Sequence, residues 1–67
     1  MKLVRTHLKV LLREQGLSMR SCARLTGISQ STLLAWCNEP LDRLDCRVLA
    51  RLCHELRVGL PELVYMA

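Results

Sequence analysis

Nothing in these 67 residues approaches the roughly 20 consecutive apolar residues that a membrane-crossing helix needs. The start, MKLVRTHLK, returns to charge too soon for a signal peptide, so the sequence predicts a cytoplasmic protein with no membrane partner. It has no internal repeat, low-complexity segment or flexible linker. Its length allows one domain, residues 1–67, because two could not each bury a core. The four cysteines, Cys22, Cys37, Cys46 and Cys53, form no C-x-x-C pair, and each falls inside a helical pattern. They are expected to pack as small apolar residues, with Cys46 and Cys53 sharing a helix face with Leu49, and no metal site or disulfide is predicted. His7 and His54 lack an i, i+4 ligand partner. Also missing are an acid/base pair, a glycine-rich phosphate loop and a nucleophile motif. The expectation is therefore a protein that is not an enzyme, with no cofactor and no small-molecule substrate.

Charge is present but unevenly spread. Residues 1–36 carry Lys2, Arg5, Lys9, Arg13, Arg20 and Arg24 against Glu14 alone, while residues 37–67 carry Arg43, Arg47, Arg51 and Arg57 against five acids. A polyanion would meet the first half, helped by individual arginines of the second. A scattered solvated surface gives the same count.

Helical periodicity runs through the chain, and no segment alternates long enough to make a secure strand. Val4, Leu8, Leu11 and Leu12 form one apolar stripe, which Gly16 can stop in the left-handed conformation. Ser18 is placed to cap a second helix that starts at Met19, turns Cys22, Ala23 and Leu25 inward, and breaks at Gly27. Ser29 caps a third helix over 30–37, closed by a left-handed Asn38 and by Pro40, which keeps Glu39 out of the helical region. Asp45 caps a fourth helix with a stripe of Val48, Leu49, Leu52, Cys53 and Leu56. Gly59 and Pro61 punctuate the chain at the start of a last short helix over 60–65. The uncharged run VYMA at 64–67 predicts a partner.

Five short helices with a tight glycine-containing turn between the second and third predict an all-α, compact five-helix bundle built around a helix-turn-helix. The third helix has a consequence for function. Its sequence, QSTLLAWC, cannot turn Leu33, Leu34, Ala35 and Trp36 all to one core at 100° per residue. Leu33, Trp36 and Cys37 share the inner side with Ile28; Gln30, Ser31, Leu34 and Ala35 are left looking out. Small apolar side chains can contact thymine methyl groups in the major groove, and glutamine can pair bidentately with adenine.

The stretch LSMRSCARLTGISQSTLLAW resembles the helix-turn-helix core of the phage Cro/repressor-like transcriptional regulators, the xenobiotic-response-element type. The likeness rests on a Leu-Ser start, an Ala in the second helix, a Gly-Ile-Ser turn and an apolar-x-x-apolar third helix. It continues into RLDCRVLARLCHELRV, similar to the family's fourth helix. The resemblance implies a lambda-repressor-like DNA-binding domain whose third helix enters the major groove while the second lies across the backbone. It implies base reading by Gln30, Ser31, Leu34 and Ala35, and phosphate contacts by Ser29, Arg20, Arg43 and Arg47. Four positions depart from the family's pattern. Met19 stands where a phosphate-bonding Gln is common, Leu12 and Cys37 replace an ionic pair by packing, and Glu39 replaces the glycine after Asn38.

The function expected is a sequence-specific regulator of transcription on double-stranded DNA, a repressor or Cro-like switch. It would act as a homodimer through Leu60, Leu63, Val64, Tyr65 and Met66, with no effector domain beyond the helix-turn-helix. The alternative is a protein-interaction module, an antitoxin or adaptor, using the same fold with its apolar helix-three face as the partner site.

Overall fold

The computed structural model describes residues 4–66. In chain order these form β1 (Val4–Thr6), α1 (Leu8–Glu14), α2 (Met19–Thr26), α3 (Gln30–Asn38), α4 (Cys46–Leu56), α5 (Leu60–Leu63) and β2 (Val64–Met66). One core joins all five helices. Leu8, Leu11 and Leu12 come from α1, Cys22 from α2, Leu33 and Trp36 from α3, Leu52 and Leu56 from α4, and Leu63 from α5. Burial of each fully enclosed leucine contributes about 1.5–3 kcal/mol.

The helix starts follow local chemistry. Ser18, Ser29 and Asp45 adopt extended backbone and accept hydrogen bonds from the N–H groups of Ser21, Thr32 and Arg47 respectively. Gly16 and Gly27 take the left-handed conformation at φ 68° and 75°. The end of α3 differs from expectation. Asn38 remains helical, and the helix stops because Glu39, preceding Pro40, is forced extended at φ −120°, ψ 142°. At the end of α4 it is Arg57 that takes the left-handed position, with the Arg57 and Val58 N–H groups both donating to the Cys53 carbonyl. Gly59 instead starts α5, its N–H held by the Glu62 carboxylate.

The all-α expectation is corrected by a small antiparallel sheet. Val4, Arg5 and Thr6 pair with Met66, Tyr65 and Val64, and Val4 also forms a bridge with Leu41. Val4 is thus a strand residue, although the helical stripe placed it in the first helix, and Val64 and Tyr65 leave the last helix, which ends at Leu63. Val4, Thr6, Val64 and Tyr65 are β-branched or aromatic residues that suit a pleated surface. The side chain of Thr6 adds two fastenings. Its hydroxyl donates to the Trp36 carbonyl of α3 and accepts the N–H of Leu8 at the start of α1.

Two further corrections concern burial. Leu25, expected inward, is 46% exposed, and the inner place on α2 goes to Thr26. Its hydroxyl donates to the Cys22 carbonyl and accepts the Ile28 N–H, so a polar residue sits in the core with its hydrogen bonds made. Cys46, expected to share an apolar face with Leu49 and Cys53, is the first residue of α4 and is exposed.

Candidate nucleic-acid interface

The α2–α3 turn positions the site. Thr26 locks it from inside, Gly27 reverses it in the left-handed conformation, and Ser29 restarts the helix. Leu33 and Trp36 anchor α3 from below. That anchoring leaves Gln30, Ser31 and Leu34 exposed and Ala35 half-buried, at i, i+1, i+4 and i+5 along one outward face. Leu34 is 48% exposed. The four residues expected to read bases therefore do share one accessible strip.

The residues expected at phosphates, Ser29, Arg20, Arg43 and Arg47, are all exposed. The Ser29 hydroxyl already caps α3 and lies 2.9 Å from the Thr32 hydroxyl, so these two hydroxyls form one polar unit at the helix start. Arg20 and Arg47 occupy the second position of α2 and α4. Helix starts normally favour acidic residues because of the macrodipole. Here the first turns of α2, α3 and α4 contain none, and two of them contain arginine. Such an arrangement is unfavourable within the free chain and becomes favourable when an external anion approaches.

Sequence reasoning missed Arg24 and Arg51. Both line an open cleft with Arg47, beside the α2–α3 turn. The signal was present as two i, i+4 basic pairs, Arg20 with Arg24 and Arg47 with Arg51, each of which must share a helix face.

The residues expected at a dimer interface divide. Leu60, Tyr65 and Met66 are exposed and Val64 is half-buried, but Leu63 is wholly enclosed in the core and cannot meet a partner. Tyr65 stacks on His7 with ring centroids 4.4 Å apart.

All four cysteines are free. Burial pushes the Cys22 thiol up, and Cys37 nearby adds to the effect; burial likewise raises Cys37, opposed by Lys9. Protonated thiols are poor nucleophiles and poor ligands. Among the described residues no three His, Cys, Asp or Glu side chains are grouped to hold a metal ion, and no helix is long and apolar enough to cross a membrane.

The family model of the Cro/C1-type HTH DNA-binding domain matches residues 7–66, which takes in all five helices. No curated protein and no solved structure matches the chain significantly.

Proposed function

The chain belongs to the Cro/C1-type helix-turn-helix DNA-binding family, and from that premise we propose that it is a sequence-specific regulator of transcription, a repressor or Cro-like switch. The observation that carries this reading is the outward strip of α3, where Gln30, Ser31 and Leu34 stand clear of a core that grips the opposite side. In the complex α3 lies in the major groove, with Gln30 on a base edge, Leu34 and Ala35 against thymine methyl groups, and Ser31 beside them. Ser29, Arg20, Arg43 and Arg47 meet phosphates and fix the register without selecting sequence.

The protein acts as a homodimer, since one recognition helix spans too few base pairs to specify an operator alone. Leu60, Val64, Tyr65 and Met66 are the partner contacts. An exposed apolar group beside the outer edge of β2 supports this role. Repression follows from occupying a promoter. Selection of bound duplexes from a random library tests the reading: a palindromic winner is expected, with two copies bound in sedimentation. No enrichment would remove base reading, and a strict one-to-one complex would remove the dimer.

One observation favours a second reading. Leu34, 48% exposed, would suit an apolar protein partner as well as a thymine methyl group. Salt separates the two, because DNA affinity falls steeply through counterion release and apolar docking does not.

A further inference from the structure

The cleft beside the α2–α3 turn has a volume of about 420 Å³. Arg24 from the last turn of α2 and Arg47 and Arg51 from successive turns of α4 line it, together with Leu25, Ile28 and Val48. Among the described residues none of the three guanidinium groups is paired with a carboxylate. Leu25 points into this region at the expense of a place in the core, and is 46% exposed.

The backbone of the turn narrows the possible occupant. The Gly27 N–H donates to the Ala23 carbonyl and the Ile28 N–H to the Thr26 hydroxyl. Neither amide is free to cradle an anion, so any negative group must be held by the arginine forks, which match carboxylates and phosphates alike. The apolar lining decides between them, because a bare phosphate would leave Leu25, Ile28 and Val48 without a role. A polypeptide carrying carboxylates around an aliphatic side chain satisfies both halves of the lining.

We propose that this cleft docks an acidic protein segment, whose aliphatic side chain packs on Leu25, Ile28 and Val48 while its carboxylates pair with Arg24, Arg47 and Arg51. Arg47 is also assigned to a DNA phosphate, so a docked segment competes with the duplex for it. The competition rests on the DNA-binding reading; the docking does not.

Methyl NMR of the full chain tests the docking with a short capped peptide of Asp and Glu carrying one central Leu. Shifts at the Leu25, Ile28 and Val48 methyls are expected, with affinity weakened roughly tenfold in the Arg24→Ala/Arg51→Ala double variant. Both arginines are exposed, and the unchanged spectrum of the core leucines reports that the variant is folded. The same peptide with Ala for Leu is expected to bind more weakly. Equal binding of the two peptides, or an unchanged affinity in the double variant, overturns the proposal. Shifts of these methyls by random duplex DNA and not by the peptide would overturn it too, and would make the cleft a backbone contact. Failure of the chain to select any duplex while the peptide still binds leaves the docking standing and removes only the competition.

Discussion

Helices α3 and α4 are alike on the inside and unlike on the outside. Each sinks two large side chains into the core, Leu33 and Trp36 from one, Leu52 and Leu56 from the other. On α4 the exposed positions are Cys46, Arg47, Ala50, Arg51 and His54, two of them arginines. On α3 they are Gln30, Ser31, Leu34 and Asn38, with half-buried Ala35 beside them and no charge at all. A solvated helix face has no need of an exposed leucine, and a purely electrostatic surface has no need of a neutral one. On the proposed reading the two faces would divide the work of a DNA-binding domain: uncharged groups for base edges, cations for the backbone.

The largest effect should come from breaking what the helices share. Leu33→Ala and Leu52→Ala, both at fully enclosed positions, are each expected to cost about 2–5 kcal/mol in chemical denaturation, according to how far the cavity relaxes. Next come the changes that expose the difference. Gln30→Ala should weaken binding to the selected duplex by roughly 1–3 kcal/mol and leave random DNA nearly unaffected. Arg47→Ala should weaken all duplexes about equally and lower the salt slope by roughly one unit. Should Gln30→Ala and Leu34→Ala both leave the ratio of specific to random binding unchanged, α3 is not reading bases.

Thr26→Val tests how α3 is set against α2. The isosteric change removes the acceptor for the Ile28 N–H, and a loss of about 1–3 kcal/mol in thermal unfolding is expected. The thiols give a smaller, pH-dependent effect. Burial raises Cys22 and Cys37 in the fold, so their contribution is complete below the ordinary thiol value of 9.0 and is lost as pH rises beyond it. Denaturation curves should therefore show a steeper alkaline loss for the parent than for Cys22→Ala. Smallest is Arg57→Gly. It relieves a non-glycine residue at φ 57° and should stabilise by about 0.5–1 kcal/mol, with DNA affinity unchanged.

What could be read from the sequence was what local chemistry decides. Ser18, Ser29 and Asp45 cap helices because a short oxygen-bearing side chain reaches its own first-turn N–H groups, and Gly16 and Gly27 bend the chain because they lack a Cβ. The outward strip of α3 was equally legible, since two large anchors fix a helix about its axis. The sheet was not, because β1 and β2 are three residues each and acquire strand geometry only from one another. Leu25 misled for a related reason. It and Thr26 lie on either side of the Cys22 position on the wheel, and hydropathy favours the leucine; the hydroxyl wins by finding the Cys22 carbonyl one turn back. The basic cleft depended on bringing α4 against the α2–α3 turn, a tertiary fact that spacing within each helix only hinted at.

The pairing of Val4 with Met66 joins two points separated by about 60 residues of chain. Closing so long a loop costs on the order of 3–4 kcal/mol of chain entropy beyond a constant, more than a three-residue ladder returns. The ladder forms only because the packed helices have already brought its strands within reach. It is thus expected to open locally at low cost, so the Arg5 and Tyr65 amides should exchange with solvent well before those in the middle of α4. A duplex or partner that seated itself on β2 would then act on the whole fold through its least protected joint.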